Sequence, residues 1–263
     1  MKKGITLFFG FNSPVEERIK RIKAKGFDCV ITSADPRFNH QNGNIKKQVK
    51  LLTKHGLELS SLHMRYLKDE LPYFWLEGKR GEKIKKDLIK DVKIAKKYGF
   101  TCVVVHCRGQ YSKVGEQRLR EVLKVCEKYD MPLAIENLLS SAIFNDVFQN
   151  IQHPYLKFCY DSGHDNCDKC DFDYFKLYGD KLITLHLHDN DGTSDQHTLN
   201  CVGSIDWKRV AKNIKKYNPT INLDYEIIYL KNAQHFTEEE VLDEVKKQAD
   251  ELEKMIEKAS RKK

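Results

Sequence analysis

TCVVVHCRGQYSKVGEQRLREVLKVCEKYDMPLAIEN, residues 101–137, is where the fold is read. A β-branched apolar run (101–107) leads into a stretch whose apolar residues recur at helical spacing (115–129). A second short apolar run (132–137) follows. Strand, helix, strand in that order is the plan of a parallel βαβ unit.

The same unit recurs in both directions. Strands are predicted at 5–10, 27–34, 57–64, 101–107, 132–137, 156–164, 182–189 and 220–227. Helices are predicted between and after them, at 14–25, 44–55, 82–98, 115–129, 141–151, 172–179, 206–217 and 237–260. Ser13-Pro14 marks one helix start and Asp206 another, and Gly26, Gly56 and Gly99 follow three helix ends. Strict alternation implies an α/β protein with a parallel sheet, and eight units is the count of a closed (β/α)8 TIM barrel with outer helices. An open doubly wound sheet usually carries fewer units and a phosphate-binding glycine loop, and no GxGxxG or GxxxxGKS occurs here. No linker divides the chain, so residues 1–263 are expected to form one barrel domain.

Composition narrows the class. The chain has 46 Lys+Arg against 38 Asp+Glu (net charge +8), with 40% hydrophobic and 32% charged residues. That is too apolar for disorder and too polar for a membrane protein. No run approaches the roughly 18 apolar residues of a spanning helix, and the apolar segment after Met1 is short for a signal peptide, so a soluble cytoplasmic protein is expected. The excess charge sits in Lys-rich helices such as 83–99 and 245–263 and reads as solvated helix face. No nucleic-acid-binding signature sharpens it. Cys29, Cys102 and Cys159 lie inside apolar runs as small hydrophobes, and the pair Cys167-x-x-Cys170 could bind zinc or cycle redox but has no second such pair.

The polar residues gather where barrel chemistry sits, at the C-terminal ends of the strands. They are His63, His106, Glu136, Asp161 with His164 three residues on, His186 and His188, Glu226, and, in the loop after the seventh strand, Asp195 and His197. A lone histidine at such a place is ordinarily a hydrogen-bonded structural residue. Five of these six histidines, with two aspartates and two glutamates, converging on one rim would repel one another and be costly to desolvate unless cations held them. Imidazole and carboxylate ligands without thiolate favour zinc, manganese or iron(II). Glu136 and Glu226 come from different sides of the rim. They could flank a carbon-bound proton beside one metal, or hold two or three zinc ions that position a hydroxide for attack on a phosphodiester. Arg65, Arg108 and Lys68 near the rim could bind a phosphate or carboxylate, and LPYFWLEGKRG (71–81) suggests an aromatic wall over the pocket.

HMRY (63–66), VVVHCRG (103–109), AIEN (134–137), YDSGH (160–164), LHLHDNDGTSDQH (185–197) and DYEI (224–227) together resemble the xylose-isomerase-like TIM-barrel superfamily. That group includes sugar phosphate isomerases/epimerases and the zinc-dependent endonuclease IV family of abasic-site nucleases. The resemblance implies a divalent ion, Zn2+ or Mn2+, at the C-terminal face and a small sugar or sugar phosphate as substrate. On the isomerase/epimerase pattern, Glu136, Asp161, His186 and Glu226 would hold one ion. Glu136 and Glu226 would act as the acid/base pair, with His164 and His188 near substrate oxygens. On the endonuclease IV pattern, His63, His106, Glu136, Asp161, His164, His186, Asp195, His197 and Glu226 match the ligands of a three-zinc cluster, with nucleic acid as the partner. The chain departs from the second pattern where NLLSS follows Glu136, where Met64-Arg65-Tyr66 follows His63, and at His106-Cys107-Arg108-Gly109. The loop after the sixth strand, DNCDKCD, is acidic where a DNA-facing loop should not be. The isomerase/epimerase reading is therefore preferred. The final helix, about 25 residues long, could dock onto a neighbouring copy in an oligomer.

Overall fold

The computed structural model describes residues 1–65, 69–139, 141–168, 172–199, 203–229 and 236–259. The elements run β1 (Lys3–Thr6), α1 (Val15–Ala24), β2 (Cys29–Ser33), α2 (Asn39–Asn42), α3 (Ile45–Lys54), β3 (Glu58–His63), α4 (Lys79–Tyr98), β4 (Cys102–His106) and α5 (Lys113–Lys128). They continue β5 (Leu133–Glu136), α6 (Ser141–Asn150), β6 (Leu156–Asp161), α7 (Ser162–Cys167), α8 (Tyr174–Tyr178), β7 (Leu182–His186), α9 (Trp207–Tyr217), β8 (Leu223–Tyr225) and α10 (Glu238–Lys258).

All pairings between named strands are parallel, and the sheet order is β7-β6-β5-β4-β3-β2-β1-β8. The two edges meet just beyond β7, where Leu187 bridges Tyr225. Leu187 N donates to Asp224 O (2.9 Å) and Glu226 N donates to Leu187 O (3.0 Å). The result is a nearly closed (β/α)8 barrel.

Period-two alternation divides the strand residues between two cores. Ile5, Val30, Leu62, Val103, Leu133, Phe158, Leu185 and Leu223 belong to the main apolar cluster with helix residues Ile19, Leu52, Val92, Leu123, Val147, Ile214 and Val245, all fully buried. Each such side chain contributes about 1.5–3 kcal/mol of transfer free energy. A second, small cluster of Val104, Ala134 and Cys159 lies apart from it, on the other face of the strands. Helix ends follow sequence chemistry. Ser112, Asn44 and Asp206 accept backbone N–H bonds at the starts of α5, α3 and α9, and Gly26, Gly56 and Gly99 adopt left-handed φ of 78°, 69° and 83°.

Three expectations are corrected. The strand expected over 156–164 stops at Asp161, because the Asp161 carboxylate accepts a hydrogen bond from His164 N (2.6 Å) and so starts α7; the acidic segment after it is partly helical. Strands expected over 5–10 and 220–227 contract to four and three residues, their distal ends leaving the ladder to line the barrel mouth. The aromatic segment 71–81 does not wall the pocket. Arg118 donates to Phe74 O (2.7 Å) and Leu76 O (2.6 Å), which draws the segment over α4 and α5 and buries Phe74 and Trp75 beside Leu88 and Leu119. No helix among the described residues is long and apolar enough to cross a membrane.

Candidate metal centre

Each strand-end residue arrives by register. His106 is paired with Glu136 across β4–β5, and Asp161 with His186 across β6–β7. Side chains on one face of neighbouring strands are side by side, so the polar groups meet at the rim. Glu136, 1% exposed, is the hub: His186 Nδ1 lies 2.9 Å and His106 Nε2 3.1 Å from its Oε2, and His164 Nδ1 lies 3.2 Å from its Oε1. His186 Nδ1 is also 3.1 Å from Glu226 Oε2, and His63 Nε2 is 3.1 Å from His106 Nε2. His197 Nε2 approaches Asp195 Oδ1 at 3.0 Å, and its backbone holds the left-handed φ of 52°.

These contacts polarise the site. Burial opposes ionisation of Glu136, but the charges of His106 and His186 outweigh it and hold the carboxyl well below the usual range. Burial is likewise outweighed at Glu226 by His186 and His197, and at Asp195 by His164 and His197; both carboxyls sit low. Burial disfavours the His164 imidazolium, yet Asp161, Asp195 and Glu136 raise it well above its ordinary value. His63 is raised against burial by Glu136, whereas burial pushes His106 down.

The donor set fits a divalent ion. Ligand atoms of Glu136, Asp161, His186 and Glu226 all lie within 4.8 Å of one another, and so do those of His63, His106 and Glu136 and those of His188, Asp195 and His197. Neither ring nitrogen of His186, nor Glu136 Oε2, nor His164 Nδ1 makes a well-formed hydrogen bond although each is buried. Buried polar atoms without such bonds are rare, and a cation is a common reason.

The centre forms one side of a cavity of about 240 Å3. His63, His106, Glu136, His164, Asp195, His197 and Glu226 face it, as does Arg108. The opposite wall is Leu7, Phe8, Ile31, Phe38 and Ile228 with Asn42. This apolar wall went unnoticed in the sequence. Phe8 and Phe38 follow the first two strands, where an apolar residue looks like any other core residue in the sequence.

Two expected substrate contacts lie elsewhere. His188 is fully buried, with Nε2 3.1 Å from both Asp161 oxygens and its ring stacked on His197 at 4.0 Å, so it backs the centre rather than facing the cavity. Gly163 gives it room: a Cβ there would stand 1.9 Å from His188 Cε1. Arg65 turns to α4, where its guanidinium meets buried Asp91 at 3.2 Å. Lys68 and Cys170 lie outside the described residues.

Residues 19–257 match the sequence profile of a family described as xylose isomerase-like TIM barrel. Among curated proteins, an uncharacterized protein of Sinorhizobium fredii is 29% identical over 108 residues (38% of this chain, 35% of that one). One of Methanocaldococcus jannaschii is 28% identical over 156 residues (53% and 60%). The chain thus spans under two thirds of the length of either. Among solved structures, a D-tagatose 3-epimerase-like protein superposes with a TM-score of 0.78 at 18% identity, covering 98% of this chain and 99% of that one. D-Psicose 3-epimerase from Clostridium cellulolyticum gives 0.68 at 16% (98% and 96%), and 3-keto-D-glucoside 4-epimerase from E. coli gives 0.69 at 16% (95% and 99%). At such identity the likeness is one of fold.

Proposed function

The chain belongs to the xylose isomerase-like TIM-barrel family, and from that premise we propose that it is a divalent-metal-dependent isomerase or epimerase of small sugars or sugar phosphates. The observation that carries the reading is the convergence of Glu136, Asp161, His186 and Glu226 beside the cavity at the barrel mouth. These four would hold the ion, zinc or manganese. When bound, it supplies Lewis-acid polarisation of a substrate carbonyl or hydroxyl. Glu226, whose side chain is 23% exposed and which follows β8, and buried Glu136 at the end of β5 would flank the reacting carbon. One carboxylate takes the carbon-bound proton, and the other, protonated, delivers one to the same carbon from its other side. His164 and Arg108 line the cavity and orient substrate oxygens or an anionic group, and Phe8, Phe38 and Ile228 exclude water.

Proton exchange tests this directly. In heavy water, ketoses and their phosphates incubated with the metal-loaded protein are expected to gain deuterium at the carbon next to the carbonyl. Glu136→Gln and Glu226→Gln should each lower that rate by at least about 100-fold, the usual range of a lost general acid or base. Full exchange in both variants sinks the assignment.

A second reading has its own support. The trios His63–His106–Glu136 and His188–Asp195–His197 adjoin the first group and make room for further ions, as a phosphodiester hydrolase of the abasic-site endonuclease kind requires. Elemental analysis separates the two. Close to three zinc ions per chain with salt-sensitive cleavage of abasic duplex favours hydrolysis, and a single ion with no cleavage favours the isomerase.

A further inference from the structure

We propose that Cys159 is a thiolate ligand in reserve beneath the candidate centre, and that it biases the site toward thiophilic divalent ions (zinc, cobalt, cadmium) over manganese and magnesium. The proposal rests on the reading that Glu136 and His186 hold an ion.

The position follows from the strand. Cys159 precedes Asp161 by two residues on β6, so both side chains point into the barrel. Its Cα is in register with Glu136 on one side and Thr184 on the other. The residue is fully buried, and its sulfur, a ring nitrogen of His186 and a carboxylate oxygen of Glu136 lie within 4.8 Å of one another. Ligands on one ion at about 2.0–2.3 Å stand no more than about 4.6 Å apart, so this trio needs only a small adjustment to share an ion. Both nitrogens of His186 and Oε2 of Glu136 lack a well-formed hydrogen bond, which leaves them available to it. Val104 and Ala134 pack against Cys159 in this inner layer. No other cysteine among the described residues falls in such a group.

The chemistry is selective. As the sulfur bonds the ion, the thiol proton leaves to solvent and a soft anionic ligand joins an otherwise N/O set. Manganese and magnesium favour oxygen ligands and gain little from sulfur, whereas zinc, cobalt and cadmium gain much.

Cobalt reports the sulfur without any need for turnover. With one equivalent of cobalt(II), the full chain is expected to show a near-ultraviolet thiolate-to-cobalt charge-transfer band. Cys159→Ser should lose that band yet keep the visible d–d bands of bound cobalt, and Cys107→Ser should keep both. Competition between zinc and manganese should fall at least about tenfold in selectivity in Cys159→Ser and Cys159→Ala. Cadmium-113 resonance of the unmodified protein, needing no variant, should lie in the sulfur-ligated region. Bound cobalt with no charge-transfer band, or a band and selectivity unchanged in Cys159→Ser, overturns the proposal while leaving the centre intact. A wild-type chain that binds no cobalt at all removes the centre and the proposal together.

Discussion

At the residue scale, the centre is a set of mutually charged partners whose protons an ion must displace. His186, one of the four proposed ligands, and His164, His197 and His63 around it are raised above the ordinary histidine value, in each case against burial, by neighbouring acidic side chains. Without the ion they therefore hold protons to higher pH than free histidine does. Ion binding requires neutral imidazole, so zinc affinity should fall as pH drops, by about tenfold per pH unit for each proton displaced. Titration with a competing indicator at about pH 6 and about pH 8 checks this, and a flat profile contradicts it. A second residue works in the opposite sense. Asp224 is buried beneath the rim, and burial pushes its carboxyl up from 3.8 to about 6 despite bonds from Ser60 and Cys29. A carboxyl raised in the folded state contributes stability below its unfolded pKa, and that contribution is lost as pH rises through about 6; the ionised form then costs about 3 kcal/mol. Asp224→Asn should accordingly stabilise the protein more at about pH 8 than at about pH 5, read from denaturant midpoints. Equal gains at both would refute the burial argument.

At the scale of elements, the short helix α7 and the loop after β7 hold the ligands from behind. Asp161 caps α7, His188 rests against Asp161, and Gly163 admits the His188 ring. The loop is anchored at Asp189, which accepts from Trp207 Nε1 (2.9 Å) and Ile205 N (3.2 Å), and this sets the approach of Asp195 and His197. Gly163→Ala must displace His188 or the helix start. A loss of about 1–3 kcal/mol is expected from overpacking, together with weaker zinc binding because Asp161 loses its support. Thermal melts and zinc titration of that variant measure the two effects separately. Far from the site, Thr237 and Glu240 form a reciprocal cap on α10. Thr237→Ala should cost about 1 kcal/mol and leave zinc affinity unchanged.

For the whole molecule, the barrel concentrates charge that the fold alone does not neutralise. Its helices and outward strand faces form a continuous apolar layer, while like-charged neighbours such as Glu136 and Glu226 repel at the rim. An ion that binds only the folded state adds about 2.7 kcal/mol at a concentration 100 times its Kd, equivalent to roughly 5–10 °C in Tm for a chain of this size. Chelator should remove that increment without abolishing the cooperative transition. A chelator-insensitive melt would show that the rim binds no ion in the folded state.

The eight strands and the longer helices between them were legible because local periodicity reports which face of a strand or helix is buried, and eight strand–helix units admit few other closures; the short helices α2 and α7 were not. The polar candidates were legible for a related reason: Glu136, Asp161 and His186 end apolar strands, where a charged group has no place in a core. Strand ends were less legible, since Asp161 serves as a helix cap through a backbone contact that periodicity does not register. Which way each side chain faces was decided only by the tertiary structure. Arg65 and Arg108 look alike in sequence, yet Asp91 on α4 claims the first while the second lines the cavity. Cys159 looks like core, and only the pairing register of β5, β6 and β7 brings it beside Glu136 and His186. Sequence records how a residue relates to its neighbours along the chain, whereas orientation at a barrel mouth depends on charges and rings supplied by strands and helices tens of residues away.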